Sequence, residues 1–300
     1  MTVHILRFER EPSAFDAPDE WRLHLALAEF GRKRLSPALP GADWRNEIIS
    51  ENGQRLIEGA FVERERAAAQ HALSDLPSGA SSFLSWFEAL RVNGPGQGDP
   101  LFPWLANHAD LAAMRWFVEQ EAAGEAGFDD LVALTQVKMP TTAKLELARN
   151  YWDEMGRGNA RGMHGPMLEA LVTSLELDPR PRTTVWQSLA LGNLMTALAT
   201  NRRYAFQSVG ALGVIEMTAP DRATHVARAL RRLGVDKDSR HYFDLHAVLD
   251  RKHSADWNRE VIHSLVSDDP SLARPIAEGA LMRLAAGARC YERYRQEFDL

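Results

Sequence analysis

Cysteine is almost missing from this 300-residue chain. Cys290 stands alone, so neither a disulfide framework nor a cysteine-rich zinc site can form within it. Any metal would have to be held by His, Asp and Glu. Long apolar runs are missing too, and none approaches the roughly 18 residues that suggest a membrane span. The opening MTVHILRFEREPS has neither the apolar stretch nor the small-residue cleavage site of a secretory signal. These absences predict a cytoplasmic chain with no membrane partner. Basic charge is not in excess: 35 Lys and Arg are dispersed among 41 Asp and Glu, for a formal net charge of -6. That balance gives no electrostatic footprint for a phosphate backbone, so nucleic acid is not an expected partner. There is no internal repeat, heptad array or low-complexity tract.

What is present is an ordinary globular composition, 45% hydrophobic and 25% charged, in a chain long enough to bury a core without staples. Apolar residues recur at three and four positions almost throughout, with few strand-like alternations, which predicts an all-α fold. Helices are expected over 20–33, 43–73, 81–91, 103–123, 128–137, 141–155, 162–175, 183–199, 201–217, 221–233, 239–266 and 275–298. Ile48, Ile49, Leu56, Ile57 and Phe61 mark an apolar stripe along the second of these. Pro220 is expected to stop one helix and Asp221 to open the next, which Gly234 ends. The segment VNGPGQGDP, residues 92–100, is the clearest linker. It divides the chain into an N-terminal helical extension, 1–92, and a second domain, 93–300.

The run HYFDLHAVLDRKH holds His246, Asp250 and His253, spaced H-x-x-x-D-x-x-H. At about 100° per residue these side chains fall within roughly 60° of arc, so one helix face presents two imidazoles and a carboxylate. That is half of a metal site, although a surface helix with solvated charges has the same look. Further carboxylates sit where burial is expected. Glu216 lies in VGALGVIEM, an apolar setting that rarely tolerates a carboxylate without a partner. Glu154 follows Tyr151 and Trp152, and His164 comes ten residues later across a glycine break. Glu121 shares a face with Phe117, Gly124 and Phe128, which favours it over Glu119 and Glu125. The set comprises four carboxylates and three imidazoles without a thiolate. Such donors suit iron or manganese, and a count above four suggests two metals sharing bridging carboxylates. Separate structural roles for these residues are the alternative.

The order Glu121, Glu154 and His164 in YWDEMGRGNARGMH, Glu216, and then His246, Asp250 and His253 resembles the haem-oxygenase-like diiron oxidases and oxygenases, the iron-containing redox enzymes. The resemblance spans about residues 100–300. It implies a haem-oxygenase-like helical bundle, here with an additional N-terminal helical region. It also implies that the seven side chains bind two irons, cycling between Fe2+ and Fe3+, with O2 as co-substrate. The implied reaction oxidises a small organic substrate, amino-acid-like or fatty-acid-like, by N-oxygenation or C–C bond cleavage. Electrons would come from an external donor or from the substrate.

Other readings compete. Arg202 and Arg203 are candidates to anchor a substrate carboxylate, or else solvated surface charges. Tyr151, Trp152, Tyr204 and Phe206 are candidates for a pocket lining or for core. His24, on an N-terminal helix, is the position at which a haem would be sought, though a haem pocket has no need of the later His and carboxylate cluster. Cys290 is the only conceivable thiol nucleophile, and a buried inert thiol is the blander expectation. A non-catalytic helical ligand-binding or scaffold protein of the same fold is the alternative to an enzyme. The amphipathic N-terminal helices predict a homodimer.

Overall fold

The computed structural model describes residues 18–125 and 127–300. The stretch 1–13, on which the reading of no secretory signal rests, lies outside them. Thirteen α-helices and no strand occur among the described residues, so the fold is all-α as the periodicity predicts. No described helix is long and apolar enough to cross a membrane. The chain opens with α1 (Pro18–Leu35), α2 (Trp44–Ala69) and α3 (Ala80–Asn93). After the glycine-rich segment come α4 (Leu101–Asn107), α5 (Leu111–Gly124), α6 (Phe128–Thr135), α7 (Thr141–Glu154) and α8 (His164–Ser174). The remaining helices are α9 (Trp186–Thr200), α10 (Ala205–Arg232), α11 (His241–Asp256), α12 (Ser264–Asp268) and α13 (Ala273–Glu297), with a π-helical turn over Trp257–His263 between α11 and α12.

Burial follows charge along the chain. Helix α9, WQSLALGNLMTALAT, has no charged side chain and is buried around most of its circumference, which places it at the centre of the bundle. The first half of α10 carries no charged side chain except Glu216 and lies against α11 and α13. Helices α10 and α13 touch backbone to backbone. A Cβ at Gly210 would stand 1.9 Å from the Ile276 carbonyl oxygen, and one at Gly279 would stand 1.8 Å from that of Gln207. Leu27, Phe61, Phe83 and Phe87 from the three N-terminal helices share one core with Leu194, Leu212 and Ile276. The buried Glu278 on α13 ties these helices further, accepting from Arg66 Nε at 2.9 Å, Gln207 at 3.0 Å and Gln70 at 3.2 Å. A second cluster, including Phe102, Phe117, Val226 and Tyr294, packs α4, α5, α10 and α13.

Four local expectations change. The helix expected over 103–123 is two, because Asp110 caps α5 by accepting from the Ala113 amide at 2.8 Å. Pro220 does not stop α10, which runs through it to Arg232. Proline removes only the bond to the Glu216 carbonyl, and buried residues on both sides, Val214 and Met217 before and Ala223 and Val226 after, hold the helix together. The helix expected over 239–266 changes pitch at Trp257, which is fully buried against Gly213. Finally, the stripe on α2 is only half used. Phe61 is buried, while Ile48, Ile49 and Leu56 are exposed, because burial on α2 begins near Glu58.

Candidate metal centre

Glu154 closes α7, and the next residues leave the helix sharply. Gly156, Arg157 and Gly158 all have left-handed backbones, with φ of 59°, 53° and 83°. The chain turns back through two 3-10 turns, and Met155 pairs with Met163 in an isolated antiparallel bridge. The loop closes on backbone alone: a Cβ on Gly156 would lie 2.3 Å from the carbonyl carbon of Gly162. This knot, rather than a helix, makes Glu154 and His164 neighbours. His164 Nδ1 stands 2.6 Å from Glu154 Oε2, and both side chains are buried.

Helix α11 presents His246, Asp250 and His253 to the same place, as the H-x-x-x-D-x-x-H spacing predicts. His246 Nδ1 lies 2.6 Å from the Tyr242 carbonyl, which can only accept. The ring therefore carries its proton on Nδ1 and turns Nε2 towards the site. Its ring centroid is 4.6 Å from that of His164. His253 is held from the other side: Nε2 is 3.1 Å from Asp153 Oδ2, leaving Nδ1 to face Glu216 Oε2 at 3.5 Å. From α10, Glu216 accepts a hydrogen bond on Oε1 from Asn150 Nδ2.

Two donor groups result. Glu154, His164 and His246 form one; Glu154, Glu216 and His253 form the other, and within each group the ligand atoms lie within 4.8 Å of one another. Glu154 belongs to both. Asp250 is buried close by, outside both groups, and its Oδ1 has no hydrogen-bond partner among the described residues. Nδ1 of His164 and of His253 are likewise buried, and although each faces a carboxylate neither makes a hydrogen bond of good geometry among the described residues. Burial, then the nearby Glu216 and Glu154, pushes the Asp250 carboxyl up to about 10. Burial and Glu216 also raise Glu154 well above the ordinary range. Burial lowers His164 and His246 to about 4. Burial opposes the charged form of His253 as well, but Glu216 and Asp153 outweigh it and lift that ring to about 9. Carboxylates crowded in this way, with imidazole nitrogens left unbonded between them, fit hard or borderline cations.

The structure does not bring Glu121 into either group. Its Oε1 accepts from the Tyr294 hydroxyl at 2.9 Å, and that hydroxyl also meets Ser188 Oγ at 2.8 Å. Glu121 instead lines a cavity of about 190 Å³ that opens beside the donors, as does Glu125 but not Glu119. Glu154, His164, Glu216, His246 and Asp250 line the same cavity. Its aromatic wall is Phe102, Phe117, Phe128, Tyr242, Phe243 and Tyr294. None of Tyr151, Trp152, Tyr204 or Phe206 reaches it; Trp152 is exposed, and Tyr204 donates to Glu63 at 2.8 Å. Arg202 spends its guanidinium on the carbonyls of Leu134, Thr135 and Val137, and Arg203 pairs with Glu63 at 3.1 Å, so neither is an anchor. His24 is fully buried between Phe61 and Trp186, with no open face for haem. Burial pushes the Cys290 thiol up to about 12, which makes it inert.

The family comparison bears on the same residues. A family model described as iron-containing redox enzyme matches residues 115–288, a span that contains every donor above. The chain belongs to this family of iron-containing redox enzymes. No curated protein sequence matches it. Among solved structures, it resembles a CADD-like protein of unknown function from Nostoc punctiforme, with a TM-score of 0.58 at 16% identity, covering 73% of this chain and 97% of that one. A domain of unknown function with a haem-oxygenase-like fold from Shewanella denitrificans aligns with a TM-score of 0.53 at 14% identity, over 73% of this chain and 91% of that one. At these identities the likeness concerns the fold, which is haem-oxygenase-like.

Sequence reasoning missed Asn150 and Asp153, which hold Glu216 and His253, and Arg222 and Arg283, which line the cavity. Asn150 lies one helical turn before Glu154, so its shared face was legible. Arg283, in ALMRLAAGA, is a charge in an apolar run, the same signal that singles out Glu216.

Proposed function

We propose that this iron-containing redox enzyme is a non-haem diiron oxidase or oxygenase that uses O2 to oxidise a small organic substrate in the cavity beside Glu154. The observation that carries the reading is the sharing of Glu154 between two buried donor groups that line one cavity. His164 and His246 would hold one iron, Glu216 and His253 the other, and Glu154 would serve both. Asp250 is a further oxygen donor next to them. A pair of irons there would supply redox-active centres with open positions for O2. The protein's own contribution is orientation and exclusion of water. The Tyr242 carbonyl and Asp153 fix which imidazole nitrogens face the site, and Asn150 fixes the Glu216 carboxylate. The apolar wall keeps bulk water from the reacting atoms. Carboxylate and imidazole donors admit manganese as well as iron, and the family assignment favours iron.

Anaerobic loading with Fe(II) followed by metal analysis tests the reading. Two irons per chain are expected, falling to about one in His246→Ala and further in Glu154→Gln. Uptake below one iron that His246→Ala leaves unchanged would sink the diiron centre and leave a non-catalytic ligand-binding protein of the same fold. O2 consumption coupled to loss of an amino-acid-like or fatty-acid-like substrate, with and without an added reductant, tests the oxygenase step and the need for an external electron donor.

A further inference from the structure

The first turns of α2 stand clear of the bundle, since residues 44–50 are all exposed. Among the described residues thirteen large apolar side chains are exposed, and six of them, Leu35, Leu39, Trp44, Ile48, Ile49 and Leu56, fall between the end of α1 and the middle of α2. Apolar side chains scattered singly need no explanation, whereas a cluster marks a contact surface. At about 100° per residue Ile48, Ile49, Asn52 and Leu56 span roughly 100° of arc, so they form one stripe on the helix. The buried face of α2, with Glu58, Phe61 and Glu65, points the other way. Closer approach of α2 to its own bundle therefore leaves the stripe uncovered. Gly53 and Gly59 beside it have nothing within 4 Å of an added Cβ. Glycine there weakens a solvated helix and leaves room for a second backbone. No charge interrupts the stripe between Ile48 and Leu56, and the charges on its flank are already neutralised, with Arg55 Nε donating to Glu51 Oε1 at 2.8 Å.

We propose that this stripe is a dimer interface, in which α2 of one chain packs antiparallel on α2 of a second copy about a two-fold axis near Asn52. The stripe complements itself under that symmetry, as an interface between identical subunits must. Ile48 and Ile49 lie on one side of Asn52 and Leu56 on the other, so reversal sets the isoleucines of each copy against the leucine of its partner. Asn52 meets its own counterpart, and a carboxamide, with both donors and an acceptor, satisfies a second carboxamide. A single asparagine in an apolar helix seam fixes register in this way. The flanking Glu51 and Arg55 then form a polar rim that brings no unpaired charge into the contact. Trp44, Ile48, Ile49 and Leu56, each 50–69% exposed, offer on the order of 400 Å² per copy, and two copies with their rim approach the roughly 1,000 Å² that a specific interface needs. The interface lies outside residues 115–288, which the family model matches, and holds none of the candidate donors, so it is independent of the iron reading.

Sedimentation velocity of the full-length protein at micromolar concentration, with and without Fe(II), tests this. A species of twice the 33.6 kDa chain mass is expected in both states. Ile49→Glu and Leu56→Glu should each shift it to monomer with unchanged helical circular dichroism, while Leu111→Glu, at an exposed apolar position on α5, should stay dimeric. An introduced thiol reads the position of the axis. Asn52→Cys should form an intermolecular disulfide under mild oxidation, and Ser50→Cys, on the opposite face of α2, should not; the native Cys290 is buried and gives no background. A monomeric parent protein, a dimer that both Glu variants leave intact, or cross-linking through Ser50→Cys as readily as through Asn52→Cys would overturn the interface. A monomer in which the thiol of Asn52→Cys resists alkylation would also overturn it, by assigning the stripe to residues 1–17 of the same chain.

Discussion

The candidate donors are oriented by neighbours that lie outside both donor groups. Asp153 is the clearest case. It takes the Nε2 side of His253 and leaves Nδ1 to the site, while pairing with Arg157 at 2.6 Å. Burial works against its charge, yet Arg157 and His253 hold its carboxyl below the ordinary range. Removing such a partner of a ligating histidine costs about 10–100-fold in metal affinity. Asp153→Ala should therefore weaken iron binding by about that factor, while Asp153→Asn, whose carbonyl can still accept from Nε2, should recover most of it; competition against a chelator measures both. His24 makes a second prediction, remote from the centre. Burial, against the pull of Glu20 at 3.5 Å, lowers its imidazole to about 4 from an ordinary 6.5. The unfolded chain takes up this proton first, so the stability is complete above pH 6.5 and is lost as pH falls towards 4. Between pH 7 and 5 this amounts to about 2 kcal/mol. Denaturant unfolding of metal-free protein at the two pH values should show a smaller drop in His24→Gln than in the parent.

At the scale of elements, the centre depends on one loop and one helix pair. The knot over 155–163 replaces a turn of helix by left-handed residues, so that two candidate donors ten residues apart become adjacent. Alanine at Gly156 meets two penalties. A left-handed backbone costs a non-glycine residue roughly 1–2 kcal/mol, and the added Cβ would collide with Gly162. Gly156→Ala should unfold at lower denaturant and lose iron from the group that needs His164, whereas Gly165→Ala, in open space at the start of α8, should change iron content little. Helix α11 is simpler, because regular α-helical spacing alone aligns His246, Asp250 and His253. The π-helical turn that follows begins just beyond these three residues, so the change of pitch leaves their common face intact.

For the whole molecule, family membership and geometry meet in one cavity, bounded by α4 to α11 and α13. The all-α class and most helix positions were legible in the sequence, because a period near 3.6 is written into the apolar residues themselves. Glu216 was legible too, since a carboxylate among Val, Leu and Ile needs a partner wherever the chain goes. Helix breaks were read less well: Asp110 interrupts an apolar pattern through one capping bond, and Pro220 fails to interrupt α10 because packing on both flanks outweighs one lost hydrogen bond. Glu121 shows the limit most plainly. Its helical face was read from spacing, but whether that face meets the donors or Tyr294 depends on how α5 sits against α13, and Glu121 and Tyr294 are 173 residues apart in the chain. The sharing of Glu154 and the burial of His24 are of the same kind. Local composition and helical period alone mark which side chains could ligate a metal and which helix face most of them occupy. Only the tertiary structure decided which of those faces converge, because convergence is set by backbone contacts such as Gly210 on Ile276 and Gly156 on Gly162, and no local pattern records them.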